Sequence, residues 1–210
     1  MVTVRLGQKV VRAACRDPGR LRELLKPGVR VLLEPASCPT RSTTHTIILV
    51  RHEGRWVSVV PALANRIFEA ALRRDGVPGL SRARVVAREV RLGQSRIDFA
   101  ISWRGLTGLV EVKSATLVER GRALFPDAPT ARGRRHVEVL MAHSRKYSRA
   151  FVVFVVQRDD ARSLSPHAAN DPAFAAALTA AAQAGVRLLA FTCRVTPAGI
   201  RLDRRIPVVL

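Results

Sequence analysis

Aromatic residues make up only 5% of this 210-residue chain, which argues against a partner recognised mainly by base stacking. Cysteine is scarce as well. Cys15, Cys38 and Cys193 are widely spaced and odd in number, so they form neither a disulfide framework nor a zinc knuckle. They read as buried free thiols in a reducing cytoplasm. No run of about 18 uncharged apolar residues exists, so no membrane-spanning helix and no membrane partner are expected. The N-terminus, MVTVRLGQKVVRAAC, carries charge every few residues. It lacks the apolar stretch of about 7–15 residues that a secretory signal needs. Glycine (13) and proline (12) are too few for a collagen-like or low-complexity chain. Acids are also few, 16 against 36 lysines and arginines, which leaves a formal charge of +20.

Apolar residues are plentiful at 48%, enough for a core and too many for a disordered chain. The length suits one or two domains. Lys9, Lys26, Lys113 and Lys146 are the only lysines; every other basic residue is arginine. The planar guanidinium fork matches phosphate oxygens, and a pI near 11.7 points to a polyanionic partner, nucleic acid first of all.

The first sixty residues read as β. Val2, Val4 and Leu6 alternate, Val29–Leu33 follows Pro27-Gly28, and 46–50 and 56–60 flank a turn at His52-Glu53-Gly54-Arg55. A short helix is expected from Gly19 to Leu25. Together these suggest a small or partial β-barrel. From Pro61 the period changes. The pattern predicts a helix holding Leu63, Ile67 and Leu72 that ends near Asp75-Gly76, then strands over 84–90, 96–103 and 108–114. After a loop rich in proline and glycine come a helix over 131–144, a strand over 151–156, a helix from Asp171-Pro172 to Gly185, and a strand over 186–195. The order is α-β-β-β-α-β-α-β, and no internal repeat is evident.

Two of these strands carry ionisable groups. Asp98 interrupts the apolar strand Ser95-Arg96-Ile97-Asp98-Phe99, and Glu111-Val112-Lys113 follows on the next. Residues i and i+2 of a strand share a face, and hairpin-like pairing sets Asp98 beside Glu111. Adjacent carboxylates form an oxygen-ligand site for Mg²⁺ or Mn²⁺. A lysine beside such a metal orients the attacking water or stabilises developing charge. This is the D…(D/E)-x-K pattern of the PD-(D/E)XK nucleases, in the strand context that fold requires. The competing reading is a structural ion pair between Asp98 and Lys113 on an exposed sheet face. Glu89, on the preceding strand, and Glu69, on the helix before it, are further candidate carboxylates, Glu69 reading first as part of a solvated helix face. Asp127, in a loop, and His136, a surface or packing histidine by type, are candidate accessories. Arg88, Arg91, Arg96, Arg132 and Arg135 flank the motif as candidate phosphate contacts. Trp56, Trp103 and Phe99 read as core.

These residues resemble a known family, the sugar fermentation stimulation proteins. The resemblance runs over nearly the whole chain. It rests on Asp17-Pro18-Gly19-Arg20-Leu21, Pro27–Leu33, Ala64-Asn65-Arg66, Ser95–Phe99, Val110–Ser114, Phe125-Pro126-Asp127-Ala128, Thr130, Arg132-Gly133, His136 and the end of the chain, 196–208. It implies an OB-like barrel over residues 1–61, then a PD-(D/E)XK nuclease-like domain over 62–210 with a mixed central sheet. It also implies DNA binding, with Asp98 and Glu111 as metal ligands, Lys113 as the catalytic lysine, and Glu89 matching an acid of the family pattern. Three departures stand out. The chain starts almost inside its first strand, so the barrel is expected to be incomplete. The turn at Gly93-Gln94-Ser95 is short. Ala131 stands where the family commonly has Glu. The expected activity is metal-dependent phosphodiester hydrolysis in the cytoplasm. The alternative is a non-catalytic DNA-binding regulator that keeps the fold, and a basic RNA- or ribosome-associated protein is a third reading resting on charge alone.

Overall fold

The structure, a computed structural model, describes residues 1–36, 42–144 and 149–210; Cys38 lies outside the described residues. Five strands form the N-terminal unit: β1 (Val2–Leu6), β2 (Lys9–Ala14), β3 (Val31–Pro35), β4 (His45–His52) and β5 (Arg55–Ser58). They join in the order β1-β2-β4-β3, with β5 also on β4. The β4–β5 turn holds Glu53 and Gly54 at φ 45° and 76°. Positive φ at both central residues matches the right-handed strand twist. Ala13, Ile47, Val50, Val57 and Val59 fill the interior. β1 and β3 are not paired with each other, and the groove between them, about 1060 Å³, is lined by Val4, Arg5, Lys26, Arg30 and Trp56 among others. The barrel is open on that side.

The helix expected at 19–25 does not form. Leu21 takes φ 47°, and the amides of Leu24 and Leu25 both bond its carbonyl, at 3.1 and 2.9 Å. Pro18 before and Pro27-Gly28 after leave too few residues to repay helix nucleation. The single turn instead drops Leu21 and Leu24 into the barrel core, 1% and 0% exposed.

The rest of the chain is a six-stranded mixed sheet with helices on both faces. α1 (Leu63–Arg73) precedes β6 (Arg84–Leu92), β7 (Ser95–Trp103) and β8 (Leu106–Ala115), which pair antiparallel in sequence order. α2 (Ala131–Ser144), β11 (Arg149–Val156), α3 (Pro172–Gln183), β13 (Arg187–Thr196) and β14 (Gly199–Ile206) follow. The order is β14-β13-β11-β8-β7-β6, with β11 parallel to both β8 and β13. α1 covers one face through Ala64, Ile67, Phe68 and Leu72. α2 and α3 cover the other through Val137, Leu140, Phe174 and Leu178. Covered on both faces, β11 shows no polar alternation, and Ala150 to Val156 are all buried. Three short strands the sequence does not announce, β9 (Val118–Glu119), β10 (Arg122–Phe125) and β12 (Ser163–Pro166), form a small third sheet. No helix among the described residues is long and apolar enough to cross a membrane.

Candidate active site

The candidate site lies where two strands part. The β7–β8 ladder runs from Trp103↔Leu106 to Phe99↔Val110 and stops. β6 stays paired with β7 as far as Leu92↔Ser95, and β11 stays paired with β8 as far as Val156↔Ala115. The fork therefore opens between two pairs that remain zipped. It removes the ladder partner of the Val112 amide, and a buried amide must find another acceptor. Asp98 Oδ2 accepts that hydrogen at 2.7 Å. Asp98 Oδ1 accepts from Asn65 Nδ2 of α1 at 2.8 Å. Asp98 is thus fixed from the sheet and from the helix.

Glu111, 3% exposed, faces the same cleft. Its Oε1 accepts from Lys113 Nζ at 2.6 Å and meets His136 Nδ1 of α2 at 2.5 Å. Its Oε2 is buried without a hydrogen-bond partner among the described residues. Burial pushes the Glu111 carboxyl up, but the His136 hydrogen bond and the Lys113 charge outweigh it and hold it below the ordinary glutamate range. An ionised Glu111 only accepts, so His136 carries its proton on Nδ1. Asp98 moves the other way. Burial and then the Glu111 charge raise its pKa, against the Val112 amide and Asn65. Two neighbouring acids pushed in opposite directions mark a site where charge has been arranged.

The cleft, about 500 Å³, is lined by Asn65, Asp98, Glu111, Lys113 and His136, with the exposed Arg132 at its rim. Asp17, Pro18, Gly19 and Asp127 also line it, so the N-terminal unit contributes to the site. Asp127 Oδ2 accepts from the Leu21 amide at 3.0 Å, and Asp17 Oδ1 from the Gly19 amide at 2.8 Å. A Cβ at Gly19 would lie 2.7 Å from Asp127 Oδ2, so only glycine permits this approach. Burial, then the Asp127 charge, pushes the Asp17 carboxyl up.

The structure thus brings together Asp98, Glu111, Lys113, His136, Asp127 and Arg132. It does not bring Glu89. That residue follows the register that would carry it toward Asp98, but it takes φ 53°, which breaks the side-chain alternation of the strand. Its carboxylate is exposed and pairs with Arg96 at 3.4 Å. Glu69 is elsewhere too, held by Arg73 at 2.7 Å and by Arg88. Arg88 is therefore occupied by a carboxylate, Arg91 and Arg96 flank the β6–β7 turn, and Arg135 is exposed on α2. The reading of Asp98–Lys113 as an exposed ion pair also fails. Lys113 bonds Glu111, and both are nearly buried, 11% and 4% exposed in their side chains. His136, a packing histidine by type, is buried but bonded to the central carboxylate. Asn65 is a site residue that the sequence pattern does not announce. An asparagine beside Ala64 on an amphipathic helix has no spacing signal, and only its helix's packing against β8 reveals it. Trp103 and Phe99 are buried as expected. Cys193 is a buried free thiol, with its pKa raised by burial, and Cys15 is half-buried and free.

Comparison with known proteins agrees with this architecture. Residues 1–59 match the family described as "SfsA N-terminal OB domain", and residues 62–199 match "Sugar fermentation stimulation protein RE domain". The chain is 46% identical to the sugar fermentation stimulation protein homologue of Moorella thermoacetica, over 100% of this chain and 91% of that protein. It is 42% identical to the homologue of Chloroflexus aurantiacus, over 99% and 80%. Among solved structures it is similar to SfsA of Pyrococcus furiosus in complex with Ca²⁺, with TM-score 0.89, 29% identity and coverage of 99% of this chain and 90% of that one.

Proposed function

The chain belongs to the sugar fermentation stimulation protein family, and from that premise and the fork between β7 and β8 we propose that it is a DNA-binding, metal-dependent phosphodiesterase. The observation that carries the reading is Glu111 Oε2, a buried carboxylate oxygen without a hydrogen-bond partner among the described residues, facing the same cleft as a second carboxylate whose ionisation is opposed. Buried acceptors are ordinarily satisfied, and two hard oxygen donors in a polar cleft suit Mg²⁺, Mn²⁺ or Ca²⁺. The relative from Pyrococcus furiosus is described with Ca²⁺, which supports a hard cation. Among the described residues no cluster of three or more His, Cys, Asp or Glu has metal-holding geometry. Two carboxylates with water completing the shell fit Mg²⁺, which keeps several waters.

Asp98 and Glu111 would hold the ion, which when bound polarises a phosphoryl oxygen and lowers the pKa of its water. Lys113 and His136 fix Glu111 through Oε1 and leave Oε2 for ligation. Asn65 fixes Asp98. The Lys113 ammonium, at the cleft wall, stabilises negative charge developing on the phosphate. Arg132 at the rim binds the backbone. Ala131, where the family resemblance leads one to expect Glu, favours a second reading, a DNA-binding regulator without turnover.

The experiment incubates the pure protein with duplex DNA, single-stranded DNA and RNA in Mg²⁺, Mn²⁺ or EDTA. Cleavage that requires metal and is lost in Glu111→Gln supports hydrolysis. DNA binding without cleavage of any substrate supports the regulator.

A further inference from the structure

The opposite end of the sheet gathers arginine around one indole. Trp103 closes β7, and the guanidinium carbons of Arg149, Arg104 and Arg187 lie 4.5, 4.8 and 5.4 Å from its ring centre. They come from the start of β11, the β7–β8 turn and the start of β13. Trp103 is 4% exposed and fixed by its Nε1 donating to the Ser81 carbonyl at 3.1 Å. The ring face offsets part of the repulsion between three like charges. Among the described residues none of the three pairs with a carboxylate. Arg55, Arg73, Arg88, Arg96, Arg134 and Arg158, by contrast, each do.

Two further observations point to a ligand. The Arg149 Nε is buried with no hydrogen-bond partner among the described residues. Beside the cluster a hollow of about 250 Å³ is lined by Arg187, Arg205, Gly79 and Phe151. Arg205 also has no carboxylate partner among the described residues, and its Nη1 lies beside Gly79, at ordinary contact distance (3.4 Å) from where a Cβ would stand. Arg104, Arg187 and Arg205 are exposed. Rigid, unneutralised guanidinium forks on an aromatic platform match the oxygens of phosphodiesters.

We propose that this arginine–tryptophan cluster is a second nucleic-acid backbone site, separate from the cleft. Trp103 and Asp98 lie five residues apart on one strand, about 16 Å at the usual rise. One duplex of a turn or more can therefore contact both ends of the sheet. The cluster positions the substrate without touching the reacting atoms. The proposal rests on the chain being a nucleic-acid binder, not on its cleaving.

The test measures binding of a labelled 30-base-pair duplex by anisotropy in EDTA across a salt series. It compares the wild type, the double variant Arg104→Glu/Arg187→Glu, and the charge-matched control Arg194→Glu/Arg201→Glu, whose exposed arginines pair across β13 and β14 away from the cluster. The cluster variant should bind at least tenfold more weakly than the control and lose about 1.8 from the log–log salt slope, two contacts at roughly 0.9 each. Unchanged melting temperatures confirm that both variants fold. Equal weakening in the two variants reduces the effect to net charge and overturns the proposal. Wild-type affinity in the cluster variant overturns it too. Vesicles of phosphatidylglycerol are a further arm, and loss of vesicle binding with unchanged duplex affinity would reassign the cluster to lipid. A wild type that binds no duplex at all defeats the nucleic-acid reading itself, which separates that failure from failure of the cluster alone.

Discussion

Among the described residues Glu111 accepts hydrogen bonds from two side chains on one oxygen and none on the other, and this asymmetry decides what nearby substitutions do. Lys113→Ala removes one donor and the cationic group at the cleft wall. Cleavage should fall by about 10²-fold or more, as for loss of one preorganised electrostatic group, while binding changes by one contact among many. Lys113→Arg should also fail, because a guanidinium is planar, bulkier and cannot release its proton at working pH. Steady-state cleavage alongside anisotropy checks both, and equal cleavage by wild type and Lys113→Ala would assign the activity to another site or a contaminant. Asp98→Asn tests the metal. The amide oxygen can accept from Val112 while the NH₂ faces Asn65, whose own amide turns over to present its oxygen. The fold is kept and a charge beside Glu111 is removed. Wild-type protein should gain about 2.7 kcal/mol at a Mg²⁺ concentration 100 times its Kd. The variant should gain nothing and should melt above the metal-free wild type. An undiminished increment would place the ion elsewhere. Asp98, Glu111 and Lys113 were legible because strand alternation is a rule of period two. Glu89 was misread because a positive φ at a non-glycine strand residue cannot be read from residue type.

Among the elements, α2 and α3 are joined at their starts by one side chain. Asp171 Oδ1 caps α3 by accepting from the Phe174 amide at 2.9 Å, and its Oδ2 accepts from the Thr130 amide, ahead of α2, at 2.8 Å. Thr130 in turn caps α2, accepting from the Gly133 amide at 2.9 Å. Asp171→Ala should therefore cost about 2 kcal/mol, the upper end for one cap, because a second amide is orphaned as well. Asp171→Asn keeps one acceptor and should lose about half as much. Urea unfolding measures both, and an unchanged midpoint in Asp171→Ala would show that neither bond contributes. α2 is legible in the sequence from Val137, Leu140 and Met141 at helical spacing, α3 from its Asp171-Pro172 start and Gly185 stop, and β11 from a continuous apolar run, all of them local signals. β9, β10 and β12 are not. Strands of 2–4 residues hold through distant partners, β10 pairing with β12 across some forty residues. The segment 19–25 differs from the helix expected there because Leu21 and Leu24 reach the barrel core from a single turn, a long-range demand that residue type does not show.

Over the whole molecule the charge is lopsided in how it is satisfied. Of the few acids, Asp98, Glu111, Asp17 and Asp127 line the cleft, and Glu69, Glu89, Glu138 and Asp160 each neutralise an arginine. Among the described residues most remaining arginines face solvent with no carboxylate partner, and their mutual repulsion is costly unless a polyanion shares the surface. The two tryptophans offer no exposed platform for stacking. Trp103 is buried, and Trp56 is half-buried with the Arg51 guanidinium 5.3 Å over its ring. Binding should therefore be carried by phosphate contacts and counterion release. For six or more contacts, duplex affinity should fall by about 10³-fold or more between roughly 50 and 200 mM salt, with a log–log slope of about −0.9 per phosphate. Anisotropy in EDTA with duplexes of unrelated sequence measures this, and the slopes should agree between sequences because the backbone is the same. Salt-insensitive binding, or no binding at low salt, would contradict the charge argument. Slopes that differ between sequences would mean that base edges, not the backbone alone, are read at one of the two ends of the sheet.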